Sequence, residues 1–286
     1  MTVLVAVVGS LPPRLGAWLG RRLGEVGYLV LGRRRRLALA NLAAAFPELD
    51  PRERRRLSRR AFQHLGLIVV ELAGVLRRPL SAWLGRIRLE GLEHLEDVMK
   101  RHGRALALSA HLGNWEMLSV AHRLTPYPLA VVVRPLDSPS LQVLAERARL
   151  KTGVEIITKR RALGPVLGAL SAGKIVGILL DQNASRREGV FVPFFGRPAS
   201  TSRALAVLAL RTGTPIVPIF ARRDPDGGHR VVIQAPLAVP RTADRGQAVI
   251  ELTAACARAI ERAVRESPEQ WLWMHDRWRT RPAPRA

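Results

Sequence analysis

The sequence is poor in cysteine, in aromatic residues and in long apolar runs. Its single cysteine, Cys256, lies in an apolar, helix-like stretch, so the chain can form neither a disulfide framework nor a cysteine-based zinc site. Aromatic residues make up only 5% of the 286 residues. The longest uncharged run, Met1–Pro13, is shorter than the roughly 20 apolar residues that a transmembrane helix needs.

Acidic residues are also scarce, because 46 Lys and Arg face only 23 Asp and Glu and give a formal net charge of +23. A hydrophobic fraction of 48% and a mean hydropathy of +0.04 exclude a disordered chain. A basic surface around an apolar interior indicates an anionic partner. Between residues 21 and 60, twelve arginines against four acidic residues leave a local net charge of +8. This cluster is either a solvated helix face or a surface that binds anionic lipid headgroups.

Residues 1–80 are predicted to form amphipathic helices that associate with a membrane, although packing of these helices on the rest of the protein remains an alternative. Asp50 and Glu53 have the spacing of a capping box and predict a helix start. Apolar residues then recur every three or four positions from Leu57 to Val75. Few aromatic side chains are available here for stacking bases, so we do not expect a nucleic-acid partner.

Residues 81–286 are predicted to form one continuous α/β core, a mostly parallel sheet flanked by helices, because short apolar runs alternate with helical ones. The turn residues Asp224–Gly228 predict an antiparallel hairpin at one edge of the sheet. The strands are predicted at Ala105–Ser109, Leu129–Val133, Val154–Ile157, Ile175–Leu180, Ile216–Phe220 and Arg230–Gln234.

The end of the first of these strands carries the best candidate for chemistry. His111 and Glu116 follow it with the spacing H-x4-E, and Gly113 permits a turn between them. A carboxylate at the second imidazole nitrogen would make His111 a general base. Backbone N–H groups near Asn114, at a helix start, could hold an oxyanion. The spacing alone is weak, however, and a structural histidine is an equal alternative.

Several motifs, taken in order along the chain, resemble those of the lipid A biosynthesis acyltransferases of Gram-negative bacteria. The N-terminal residues that match are Arg36, Asn41, Leu42, Phe46 and Pro47. The remaining motifs are HLGNWE at 111–116, VRP at 133–135, Asp181-Gln182, GVFVPFFG at 189–196, TPIVP at 214–218 and QWLWMHDRWR at 270–279. The match covers nearly the whole chain.

This resemblance implies a glycerol-3-phosphate-acyltransferase-like fold and a peripheral or monotopic enzyme at the cytoplasmic face of the inner membrane. The enzyme would move a fatty acyl chain from an acyl carrier protein thioester, or from acyl-CoA, to a hydroxyl of an anionic glycolipid, a lipid A precursor. No cofactor or metal is implied. His111 would be the general base and Glu116 its orienting partner, with no acyl-enzyme.

The resemblance also implies roles in substrate binding. Arg134 would bind a phosphate. Asp181 would bind a polar acceptor group or cap a turn, and Phe194 and Phe195 would wall the acyl chain or pack in the core.

Other functions remain open at this stage. The acceptor could be another glycolipid, such as a phosphatidylinositol mannoside. The same His-acid pair could act on water in a thioesterase. A basic module that binds anionic lipid or nucleic acid without catalysis would share the charge but would be indifferent to His111 and Glu116.

Overall fold

The computed structural model describes residues 2–135, 138–240 and 242–283. The helices are α1 (Thr2–Ser10), α2 (Pro13–Val30), α3 (Gly32–Ala45), α4 (Pro51–Arg77), α5 (Ser81–Leu84), α6 (Leu92–His102), α7 (Met117–Ala121), α8 (Pro139–Lys151), α9 (Leu163–Ser171), α10 (Ala204–Thr212) and α11 (Arg245–Glu266). The strands are β1 (Ile87–Glu90), β2 (Ala105–Ser109), β3 (Leu129–Val133), β4 (Glu155–Thr158), β5 (Ile175–Leu179), β6 (Gly189–Phe194), β7 (Arg197–Ser202), β8 (Ile216–Arg223) and β9 (His229–Ile233).

Seven of these strands form one sheet in the order β1-β9-β8-β2-β5-β3-β4. The five from β8 to β4 run parallel, whereas β9 pairs antiparallel with β8. The predicted α/β fold, a mostly parallel sheet flanked by helices, is thus confirmed. The predicted hairpin also exists, but its place at the sheet edge is wrong, because β1 pairs with β9 beyond it. Strand β1 and the separate β6–β7 hairpin were not predicted from the sequence.

Helix α4 links the N-terminal helices to the sheet. It begins at the predicted capping box, in which Asp50 Oδ1 accepts hydrogen bonds from the backbone N–H groups of Arg52 and Glu53. Its side chains reach both hydrophobic clusters of the core, Phe62 in one and Leu72 in the other. The N-terminal helices therefore pack against the α/β core through α4, while the domain boundary near residue 80 stays a prediction.

Helices α2 and α4 lie in direct backbone contact. A Cβ atom added at Gly24 would lie 2.2 Å from the carbonyl oxygen of Phe62, and one at Gly66 would lie 2.1 Å from that of Gly20. No side chain fits at these positions without moving one helix. Within the described residues, none of the helices has the length and apolar character needed to cross a bilayer.

The two faces of the sheet pack against different helices. On β2, Leu106 and Leu108 belong to the cluster that includes α9, α10 and α11, whereas Ala105 and Ala107 face α4, α6, α7 and α8. We call the face of the sheet that carries Ala105 and Ala107 the lower face. The parallel strands β2 and β5 are neighbours, with Ser109 opposite Leu179 at their carboxyl ends. Ligands of open α/β sheets bind just beyond such ends.

Candidate active site

His111 and Asp181 meet at the carboxyl ends of β2 and β5. Each residue follows its strand by two positions, so the parallel register brings the two side chains together. His111 Nδ1 donates to Asp181 Oδ1 at 2.8 Å, and the His111 backbone N–H donates to Asp181 Oδ2 at 3.0 Å. Trp271 Nε1 donates to the same Oδ2 at 2.8 Å. The carboxylate is thereby fixed on three donors.

The protonation of Asp181 follows from its surroundings. Burial alone would raise the pKa of Asp181, but the neighbouring charge of His111 and the hydrogen bonds from His111 and Trp271 outweigh it and lower that pKa to about 2. Asp181 is therefore an anion at neutral pH and accepts a hydrogen bond from the Nδ1–H group of His111. The lone pair of the neutral ring is then on Nε2, which lies 3.4 Å from Gln182 Nε2 at the cleft.

Glu116 does not take the orienting position that the sequence predicted for it. Its carboxylate accepts hydrogen bonds from Trp115 Nε1 at 3.0 Å, from Arg149 Nε at 2.8 Å and from Arg149 Nη2 at 2.5 Å. The loop carries the Glu116 side chain toward α8, where a guanidinium binds it in a bidentate way. The carboxylate facing the second imidazole nitrogen is that of Asp181.

The loop between His111 and Glu116 is held from behind by buried backbone contacts. Gly113 has a φ of +57°, and a Cβ there would lie 2.1 Å from the carbonyl oxygen of Ala221, so this turn requires glycine. The Gly113 N–H donates to the Gln270 carbonyl, and Leu112 forms an antiparallel bridge with Trp271. The C-terminal segment thus shapes the same loop.

Asn114 connects this loop to a mostly buried charge pair and does not line the cleft. It is fully buried, its Nδ2 donates to Glu71 Oε2 at 2.6 Å, and α7 begins only at Met117. Arg223 donates to both oxygens of Glu71, at 2.6 Å and 2.5 Å. Burial would raise the pKa of Glu71, but the Arg223 charge and the nearby His229 ring hold it well below its usual range. Glu71 is therefore ionised at neutral pH.

A cleft of about 1250 Å³ opens beside His111. Its deeper part, the apolar arm, runs along the lower face of the sheet between the strands and the helices. The apolar arm is lined by Ile68, Leu72, Ala107, Leu118, Val131, Ile175 and Gly177. Its outer part, the basic rim, carries cations from seven segments of the chain. The basic rim consists of Arg34, Arg134, Arg149, Lys159, Arg187, Arg203, Arg211 and Arg279.

The remaining predicted site residues divide between the cleft and the core. Arg134, just after β3, is exposed and lines the cleft, and its binding of a phosphate stays a prediction. Phe194 and Phe195 are buried and pack edge-to-face against each other in the main core cluster. They therefore take the core position that the sequence left as the alternative to an acyl-chain wall.

Three residues near His111 were not assigned to the site from the sequence. Arg149 binds Glu116, Trp271 binds Asp181, and His275 lines the cleft while its Nε2 accepts the backbone N–H of Asn183 at 2.9 Å. Burial lowers the pKa of His275 to about 4, so its ring is neutral at pH 7. Trp271 and His275 belong to the motif at 270–279, which indicated that this segment matters, but the motif carried no information about their contacts.

The whole chain is similar to known bacterial enzymes. The family model described as bacterial lipid A biosynthesis acyltransferase matches residues 1–280. The lipid A biosynthesis lauroyltransferase of Escherichia coli strain K12 is 29% identical over 270 residues, which cover 92% of this chain and 85% of the relative. The palmitoleoyltransferase of the same strain is 27% identical over 275 residues, covering 96% and 88%. A lipid A biosynthesis acyltransferase of Haemophilus influenzae is 25% identical, covering 89% and 81%.

The match extends over nearly the full length, and some residues of the cleft, among them His111, Arg134 and Gln182, belong to the motifs that carry the resemblance. This chain belongs to the bacterial lipid A biosynthesis acyltransferase family, and it is an acyltransferase.

Proposed function

We propose that this enzyme transfers a fatty acyl chain from a thioester, carried by acyl carrier protein or coenzyme A, to a hydroxyl of a lipid A precursor. The observation that carries the proposal is the His111–Asp181 pair, which lies where an apolar arm meets a basic rim. An acyl chain and a phosphorylated glycolipid need these two environments, with a base between them.

The reaction needs one proton acceptor and no covalent intermediate on the enzyme. His111 Nε2 takes the hydroxyl proton while the acceptor oxygen forms a bond to the thioester carbonyl carbon. The tetrahedral intermediate then collapses, the C–S bond breaks, and the thiolate recovers the proton from the imidazolium. Asp181 stabilises the imidazolium in between, since its carboxylate lies 2.8 Å from Nδ1. Cys256 takes no part, because burial raises its pKa to about 12.

The cleft supports the assignment of donor and acceptor to its two parts. The apolar arm carries aliphatic and small side chains on the lower face of the sheet and suits a fatty acyl chain. Arg134 and Lys159 lie on the basic rim, where guanidinium and ammonium groups bind phosphate. With a net charge of +23, the protein would also attract an acidic carrier protein by long-range steering.

The proposal is tested by an acceptor-dependence assay. Purified enzyme is incubated with acyl carrier protein thioesters, or with acyl-CoA, in the presence and absence of a lipid A precursor, and the lipid is analysed by mass spectrometry. We expect an acylated lipid and acceptor-dependent release of free thiol. Equal release of fatty acid without acceptor would instead identify a hydrolase, and acylation of a phosphatidylinositol mannoside alone would change the acceptor class.

We further propose that α2 attaches the enzyme peripherally to an anionic membrane, the cytoplasmic face of the inner membrane in the cell. Exposed apolar side chains lie along α2 opposite the glycines that contact α4, with Arg22 among them. This apolar N-terminal face consists of Leu15, Trp18, Val26, Leu29 and Val30. Exposed arginines flank it, among them Arg14 and Arg21 on α2 and Arg33 and Arg36 on α3. Each such cation near an anionic bilayer contributes about 1 kcal/mol to binding.

Replacing Leu29 by aspartate is expected to weaken binding to phosphatidylglycerol vesicles by at least about tenfold, because the loss of one buried leucine costs roughly 1.5–3 kcal/mol. Co-sedimentation with the vesicles measures this effect. Leu150→Asp on α8 is the matched control, since Leu150 is 61% exposed and Leu29 is 68% exposed. Equal binding by the Leu29 and Leu150 variants would contradict the assignment of this face.

A further inference from the structure

A glycine occupies the centre of the sheet beneath the reaction site. Gly177 is the middle residue of β5, which pairs with β2 on one side and β3 on the other. Glycine weakens the interior of a strand and commonly marks a place where a ligand or another backbone approaches closely. The position therefore needs an explanation.

No neighbouring backbone requires this glycine. A Cβ atom at Gly177 would lie 3.4 Å from Val131 Cγ1 and 3.8 Å from both the Ala130 carbonyl oxygen and Leu129 Cδ1. These are ordinary van der Waals distances, and the backbone lies in a strand without a positive φ. Gly177 lines the apolar arm, so the remaining explanation is that a side chain at this position would occupy part of the arm.

The residues on either side of Gly177 in the sheet have side chains that protrude little into the apolar arm. The β-sheet register places Ala107 opposite Gly177 on one side and Val131 on the other. The next row toward the start of the strands contains Ile175 between Ala105 and Leu129. The apolar arm thus passes over a row of small residues before it reaches a row with two larger side chains.

The distance from the reaction site matches the interior part of a long acyl chain. Gly177 precedes Asp181 by four residues, which is about 13 Å along an extended strand. A thioester whose carbonyl lies at His111 would therefore extend its methylene chain over Gly177.

We infer that Gly177 determines the acyl-chain length that this enzyme accepts. Without a side chain at this position, the apolar arm stays open beyond the row formed by Ala107, Gly177 and Val131. The inference rests on the proposed acyl transfer and deepens it. A side chain at this position would fill the arm at a fixed depth, so shorter chains would still fit and longer ones would not.

Gly177→Val tests this directly, since valine is favoured in strands and its Cβ finds no clash. Each methylene excluded from the arm is expected to cost roughly fourfold in kcat/KM. For donors that differ by four methylenes, we therefore expect the preference to shift by roughly 250-fold toward the shorter chain. Gly177→Ala should shift it in the same direction by less.

The measurement is a competition assay in which wild type and variants choose among acyl carrier protein thioesters of eight to sixteen carbons, with the lipid product analysed by mass spectrometry. Gly168→Val on α9 is the matched control, because Gly168 is exposed and nothing lies within 4 Å of its Cβ position. Thermal melting checks that each variant is folded.

The outcomes separate this inference from the proposed function. Wild type that transfers no acyl chain from any donor would overturn the proposed function and the inference with it. An active Gly177→Val variant with the wild-type chain-length profile would overturn the inference alone. Should this variant fail to fold, Gly177→Ala and Ile175→Ala decide the matter. Ile175→Ala lengthens the arm at the deeper row and should favour longer chains, and unchanged profiles in both variants would contradict the inference.

Discussion

Replacing His111 by alanine is expected to lower kcat by a factor of about 10²–10⁴, the usual contribution of a general base. The melting temperature and vesicle binding should change little, because the side chain lies at the mouth of the cleft and outside the apolar N-terminal face. Steady-state transfer to the lipid acceptor measures the loss. Turnover near the wild-type rate would rule out His111 as the base.

The partner of His111 is identified by two isosteric variants, Asp181→Asn and Glu116→Gln. An asparagine at 181 can donate to Nδ1 and thereby place the ring proton on Nε2, which removes the lone pair that accepts the hydroxyl proton. We expect Asp181→Asn to lose nearly as much activity as His111→Ala. Glu116→Gln weakens the contact with Arg149 and should leave the pH profile of kcat unaltered. The reverse pattern, a changed profile in Glu116→Gln alone, would restore Glu116 as the orienting carboxylate.

Glu71→Ala is expected to destabilise the protein by about 3–5 kcal/mol, because it leaves the Arg223 guanidinium buried without its carboxylate. It also removes the acceptor of Asn114 in the loop that follows His111. At roughly 2–4 °C per kcal/mol, the melting temperature should fall by about 6–20 °C. Thermal unfolding followed by circular dichroism measures this change.

A surface ion pair supplies the control for Glu71. Glu155 accepts from Lys174 Nζ at 2.6 Å, but both side chains are partly exposed, so Glu155→Ala should cost less than about 1 kcal/mol. Glu71→Gln keeps an oxygen that accepts the hydrogen bond from Asn114, so it should lower the melting temperature less than Glu71→Ala does. If the Glu71→Ala and Glu155→Ala variants had the same melting temperature, the Glu71–Arg223 pair would contribute no more to stability than a surface ion pair.

The sequence allowed the fold class to be predicted because strong local signals agreed with the tertiary structure. Ala105–Ser109 and Leu129–Val133 were predicted with the bounds that the strands have, since both are short apolar runs with clear flanking residues. Strand β1, Ile87–Glu90, was missed because two of its four residues are charged. Such a sequence resembles a surface loop until pairing with β9 is known.

The site was predicted only in part, because its chemistry depends on which strands are neighbours. His111 and Asp181 were both recognised as residues at strand ends, but seventy positions separate them in the chain. The order β2-β5 brings them together, and no local pattern contains that order. The nearby Glu116 had the more suggestive spacing, yet the loop turns its carboxylate toward Arg149.

The backbone contact between α2 and α4 bears on how the enzyme meets its acceptor. Gly24 and Gly66 bring the backbones of α2 and α4 into contact, so the helix that carries the apolar N-terminal face packs directly on the helix that reaches both clusters of the core. Once α2 rests on a bilayer, as proposed, the whole enzyme is confined to the membrane surface. The search for a lipid acceptor then becomes two-dimensional.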